Sequence, residues 1–150
     1  MTLKNALIFF ENLVAETSRK SERKVYQEFI EIITSLEKKN LLKSEIQSIE
    51  MELDNLNLKS NSANSKKEYK KAKNDFKKYL KDTFSFTTKG YYTNYYGGLG
   101  LVFGLLFGVA ILSNYERSLG ISLGLIGGMV IGSIMGRNKD AEAKTAGKML

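Results

Sequence analysis

The chain has 150 residues, 43% hydrophobic and 26% charged, and contains no Pro, Cys, His or Trp. Without His or Cys there is no imidazole base, no Ser-His-Asp or Cys-His relay, no disulfide, no thiolate nucleophile and no zinc site built on those ligands. The net charge of +7 belongs to one stretch: residues 1–58 hold 8 basic and 10 acidic side chains, residues 59–89 hold 10 and 3, and residues 90–150 hold 5 and 3.

Taken in chain order, the first 58 residues carry apolar positions at helical spacing with no competing strand alternation. Leu3, Leu7, Phe10 and Val14 line one helix, and Val25, Phe29, Ile32 or Ile33, and Leu36 a second. Leu42, Ile46, Ile49, Leu53 and Leu56 line a third with 4-3-4-3 steps. Asn40 and residues 60–65 are the expected breaks. A small antiparallel bundle is the preferred packing, and a short coiled coil on the third stripe is the alternative, since two heptads are too few to establish a seam. Glu45, Glu50, Glu52 and Asp54 read as the polar side of that helix.

Residues 59–94 are expected to be a basic juxtamembrane helix and linker. Tyr69, Ala72, Phe76 and Tyr79 or Leu80 supply its apolar stripe, and Lys66, Lys67, Lys70, Lys71, Lys73, Lys77, Lys78 and Lys81 its charge. Three readings compete: a solvated face, attraction to anionic lipid headgroups, and nucleic-acid binding. Lipid is favoured because a polybasic segment beside a membrane meets headgroups without any recognition motif. Nucleic acid is least favoured, because the segment is almost free of arginine.

Residues 95–113 and 119–135 are without charge. At ~1.5 Å per residue each run makes a helix of roughly 25–29 Å, close to the ~30 Å hydrocarbon core. Two transmembrane helices in a hairpin over residues 95–136 follow, with residues 137–150 as a tail. A buried hairpin of a soluble protein is disfavoured, because the remaining residues are too polar to wrap it. Lys77, Lys78, Lys81 and Lys89 precede the first span, Arg137, Lys139, Lys144 and Lys148 follow the second, and only Arg117 lies between, so both termini are expected in the cytoplasm. Tyr91, Tyr92, Tyr95, Tyr96 and Tyr115 are placed at the membrane interfaces, where an apolar ring with a polar tip suits the headgroup zone.

Glycines recur every four residues, at Gly100, Gly104 and Gly108 in the first span and Gly120, Gly124, Gly128, Gly132 and Gly136 in the second. This region, about residues 90–150, resembles the two-span glycine-zipper hairpins of small bacterial membrane proteins. The resemblance implies a bacterial inner-membrane location and close helix packing through those glycines. Gly100 and Gly128, Gly104 and Gly124, and Gly108 and Gly120 are symmetric about Asn114 and favour an intrachain contact, expected to concentrate near Gly104 and Gly124. Gly127, Gly132 and Gly136 find no symmetric glycine, and are expected to leave a second narrow face for another subunit.

No catalytic, metal or cofactor constellation is present in the sequence, and the glycine-rich runs lack the Lys-Ser/Thr and preceding strand of a phosphate loop. The expected class is all-α: a cytoplasmic helical bundle or short coiled coil followed by a two-helix transmembrane hairpin. The expected function is a non-enzymatic, membrane-anchored interaction or scaffold protein. Its partners would be the lipid bilayer with anionic lipids, further copies of itself, and a cytoplasmic protein. The alternative is a self-assembling pore or membrane-perturbing effector gated by the cytoplasmic domain.

Overall fold

The computed structural model describes residues 1–58, 66–110 and 117–150. Among these it forms α1 (Leu3–Glu16), α2 (Lys20–Glu37), α3 (Lys43–Asn55), α4 (Lys66–Phe84), α5 (Tyr91–Ala110) and α6 (Arg117–Thr145), and no strand. They divide into two compact units, Met1–Phe86 with Leu150, and Thr87–Met149.

Local chemistry sets the helix ends of the first unit. The Thr2 hydroxyl accepts the Asn5 N–H at 3.2 Å and caps α1, satisfying a donor that the first turn leaves without a partner. Glu45 reaches back to accept the Leu42 N–H at 2.8 Å at the start of α3. Glu22, in the first turn of α2, accepts from the Thr17 hydroxyl at 2.9 Å and from Arg19 at 3.0 Å. Those two hydrogen bonds, Thr17 first, hold its carboxyl below the usual carboxylate value. Asn57 (φ 47°) and Ser85 (φ 59°) turn the chain into the left-handed region just past α3 and α4.

All four helices of this unit contribute to one core, with Phe10, Phe29, Phe76, Ile33, Leu36, Ile49, Leu53 and Leu80 fully buried. Phe10 stacks on Phe29 at 4.1 Å between ring centroids, and Phe29 on Phe76 at 6.4 Å. Each such side chain removed from water contributes about 1.5–3 kcal/mol. The contacts also fix direction. Tyr26 meets Tyr69 and Phe29 meets Phe76, so α2 and α4 run parallel. The Tyr79 hydroxyl donates to the Ser48 carbonyl and that of Tyr69 to the Leu58 carbonyl, so α3 runs antiparallel to α4.

Two sequence expectations change here. Leu42 belongs to the third apolar stripe by spacing, yet it is 68% exposed, because it precedes α3 and the helical period does not apply to it. A division at residue 58 is also replaced: α4 buries Tyr69, Ala72, Phe76 and Leu80 in the same core as α1 to α3. The apolar face of the basic segment makes it a member of the first unit.

The second unit is the antiparallel pair of α5 and α6. Both extend beyond the expected spans, α5 at its start and α6 at its end. α5 starts at Tyr91, and α6 passes through Arg137 and Lys139, where good helix formers and a Lys139–Glu142 pair at 2.7 Å sustain it to Thr145. Most of residues 137–150 is therefore helix. α6 stops in a Schellman turn, with the Lys148 N–H on the Ala143 carbonyl at 2.8 Å and the Gly147 N–H on the Lys144 carbonyl at 3.1 Å. Gly147 adopts φ 67° there, which glycine reaches without steric cost. The Thr87 N–H then donates to the Lys148 carbonyl at 2.9 Å.

Candidate functional site

Residues of α5 and α6 whose numbers sum to 228 lie opposite each other. A side chain built on Gly104 or Gly100 would overlap the carbonyl oxygen of Gly124 or Gly128, and one on Gly108 would stand 2.5 Å from that of Gly120. Seen from α6, a Cβ on Gly124 would come within 2.8 Å of the Gly108 Cα, and one on Gly128 within 2.7 Å of the Gly104 Cα. The backbones touch with no side chain between them. Where lipid is as apolar as leucine, such contact brings helices together through dispersion and Cα–H···O approaches.

Gly132 and Gly136 do not face outward as expected. A Cβ on Gly132 would overlap the Tyr96 carbonyl oxygen, and one on Gly136 would meet Tyr92 and lie 2.5 Å from the Thr93 Cα. The small-residue ridge of α6 needs a bare carbonyl opposite, and tyrosine supplies one as well as glycine does. Gly127 alone of those three has nothing within 4 Å of an added Cβ. The contact also does not concentrate at Gly104 and Gly124, but continues from Gly108/Gly120 to Tyr92/Gly136. Straight helices would lose a four-residue ridge after a few turns. A repeat longer than 3.6 residues keeps it in contact when the two axes coil right-handedly about one another.

One step further along the ridge stands Asp140, 8% exposed. Its Oδ1 accepts the Tyr92 N–H and its Oδ2 the Thr93 N–H, each at 3.0 Å, and Oδ2 also accepts the Thr93 hydroxyl at 2.6 Å. A carboxylate from α6 thus serves as the N-terminal cap of α5, where the free N–H groups and the helix dipole favour negative charge.

Over residues 99–110 and 119–135 the exposed positions are apolar except Ser122. Phe103, Phe107, Leu123, Ile126, Ile131 and Met135 are each more than half exposed. One flank forms a groove of about 610 Å³ with glycine along its floor and Leu99, Phe103, Phe107, Leu123, Ile131 and Met135 as walls. The residues 91–110 and 119–145 are helices long and apolar enough to cross a membrane. On the first turns of α5, Tyr91 stacks on Tyr95 and Tyr92 approaches Tyr96, with centroids 6.3 and 6.4 Å apart. Tyr115 lies outside the described residues.

The α4 lysines separate into two groups. Lys66, Lys67, Lys70, Lys71 and Lys78 are exposed. Lys73 is only 6% exposed and donates to Glu28 Oε2 at 2.5 Å, which Lys77 also reaches at 3.1 Å, so these two do not belong to an open lipid-facing row. Lys81 lies 3.8 Å from Asp82. Burial pushes the Glu28 carboxyl up, but the hydrogen bonds from Lys73 and Lys77 outweigh it and hold the group below its usual value. Glu28 sits beside the buried positions Val25 and Phe29, a flank that the sequence shows only once the α2 stripe is drawn.

The acids of α3 have structural partners: Glu50 accepts the Leu3 N–H at 3.0 Å, Glu52 accepts from Asn55 at 3.3 Å, and Asp54 pairs with the Met1 amine. Among the described residues no three metal-ligating side chains converge. Comparison with protein families, curated proteins and solved structures finds no match.

Proposed function

We propose that this chain is a non-enzymatic membrane protein in which the α5–α6 hairpin anchors the helical first unit, and that this unit acts as an interaction or scaffold module. One observation carries the reading: α5 and α6 bury backbone against backbone, while their large apolar side chains point outward. Water penalises such a surface at about 25 cal/mol per Å², and a bilayer does not. An antiparallel pair brings both of its ends to one side, and the excess of lysine and arginine before and after it, relative to the connection, supports a cytoplasmic location for that side. A bacterial inner membrane is the location that goes with this reading.

Because the chain has no Cys, single cysteines at Lys38 and Lys144 can be labelled without background. Both are expected to resist an impermeant maleimide in intact cells, to react after permeabilisation, and to remain in the membrane pellet after alkaline carbonate. Labelling in intact cells overturns the orientation, and release by carbonate overturns the anchor.

The glycine-floored groove favours a second reading, in which hairpins pack side by side into an oligomer and conduct. No charged side chain lines the groove, so only a hydrophobic gate would be available. A monomeric mass in nanodiscs excludes this ring, and ion flux from reconstituted protein supports it.

A further inference from the structure

Parallel packing of α2 and α4 joins two basic segments that are remote in the sequence. Tyr26 meets Tyr69 at 5.2 Å, and Glu28 holds Lys73 and Lys77, so the first turns of both helices lie at the same end of the unit. Lys66 is close enough to act electrostatically on Glu22. On α2 that end carries Arg19, Lys20, Arg23 and Lys24, all exposed. On α4 it carries Lys66, Lys67, Lys70 and Lys71, also exposed. Residues 16–24 and 66–71 together hold 8 basic and 3 acidic side chains; Arg19 and Glu22 pair with each other, which leaves 7 basic against 2 acidic. The positive ends of two helix dipoles add to this surplus.

The geometry points to this two-helix basic end as a docking surface for the phosphate headgroups of an anionic bilayer. The inference rests on the membrane-anchor reading, since a tethered unit meets headgroups at high effective concentration. Single-stranded nucleic acid fits less well. It would call for aromatic platforms among the cations, but Tyr69 and Phe76 of α4 are turned into the core. Lysine, a compact charge without fork geometry, suits headgroups that are met in no fixed orientation. Lys73 and Lys77 take no part, because Glu28 already occupies them.

Amine-reactive footprinting of the full chain in nanodiscs, read lysine by lysine by mass spectrometry, tests the surface. In discs of phosphatidylcholine with phosphatidylglycerol, Lys20, Lys24, Lys66, Lys67, Lys70 and Lys71 are expected to be protected relative to phosphatidylcholine alone, and high salt should abolish the protection. Lys38 and Lys43, exposed and at the opposite end, are expected not to change. The quadruple variant K66Q/K67Q/K70Q/K71Q should also lose protection at Lys20 and Lys24, as one surface requires, with its helical circular dichroism retained. Equal protection at both ends, or none in anionic discs, overturns the inference while leaving the anchor intact. Protection by added RNA in neutral discs with none from anionic lipid reassigns the surface to nucleic acid and overturns it too. Failure of the chain to enter nanodiscs at all overturns the anchor, and the inference with it.

Discussion

The Asp140 carboxylate and Thr93 share two hydrogen bonds, one to the backbone N–H at 3.0 Å and one to the hydroxyl at 2.6 Å. They join the start of one candidate span to the last step of the small-residue ridge on the other. Asp140→Ala leaves the Tyr92 and Thr93 N–H groups without their acceptor, and is expected to destabilise the hairpin by about 1–3 kcal/mol. Thr93→Val, which removes only the hydroxyl, should cost about 1 kcal/mol. Unfolding of the reconstituted protein, followed by helical circular dichroism in denaturant, checks both. Equal stability of Asp140→Ala and the parent would show that the cap contributes nothing to the hairpin.

Gly104 and Gly127 separate two consequences of adding a side chain. Gly104→Leu must push α5 away from the Gly124 carbonyl, at a cost of about 1–3 kcal/mol. Gly127→Ala meets nothing within 4 Å, so helix propensity should make it stabilising by about 0.5–1 kcal/mol. Distance measurement between spin labels on the two helices is expected to widen only for Gly104→Leu. Widening for both variants would show that α6 is in contact on the Gly127 side as well.

The pair formed by Glu28 and Lys73 predicts an acid-sensitive first unit. The folded Glu28 carboxyl lies below its usual value, so its contribution is fully present above the unfolded glutamate pKa of about 4.3 and is lost as pH falls through the lower folded value. Glu28→Gln leaves Lys73 buried without a counter-charge and should cost about 1–3 kcal/mol at neutral pH. Adding Lys73→Met to that variant should recover much of the loss, and a double-mutant cycle measures the coupling. A cycle that closes at zero, or a Glu28→Gln variant with unchanged acid sensitivity, would make the pair energetically silent.

The Thr17 and Glu22 contact makes a smaller prediction of the same sign. Thr17→Val removes the largest cause of the low Glu22 carboxyl pKa, so the Glu22 titration, followed by NMR, should move upward toward the ordinary glutamate value. The basic end formed with α4 should become slightly more positive at mildly acidic pH. An unchanged titration would mean that the cations Arg19 and Lys66 set the Glu22 charge without the Thr17 hydroxyl.

Much of the helical framework was legible because large apolar side chains at helical spacing leave few alternatives. Phe10, Phe29, Phe76 and Leu80 lie in the core where their stripes place them. Leu42 shows the limit of that signal, since periodicity does not mark where a helix starts. Lys73 and Lys78 are both lysines on the same helix, but Lys73 falls on the stripe of Tyr69, Phe76 and Leu80 and Lys78 on the opposite face, so the burial of Lys73 was readable from spacing whereas its partner Glu28 was not. The spacing of four was visible in the glycines, but the partners of Gly132 and Gly136 were not, because a carbonyl oxygen belongs to every residue type. Asp140 was readable in principle. It falls on the next position after Gly120, Gly124, Gly128, Gly132 and Gly136, and a charge placed on a ridge of glycines is out of pattern.

A ridge that repeats at every turn has a translational ambiguity. If α5 were displaced along α6 by one step of about 6 Å, four residues at ~1.5 Å, most glycines would again find bare backbone opposite and the apolar contact would be nearly as good. The Asp140 bonds have no such repeat, because only one alignment brings that carboxylate to the Tyr92 and Thr93 amides. The glycines make the two helices close, and the aspartate selects which of several near-equivalent alignments is occupied, as a lone polar residue does in a coiled-coil seam.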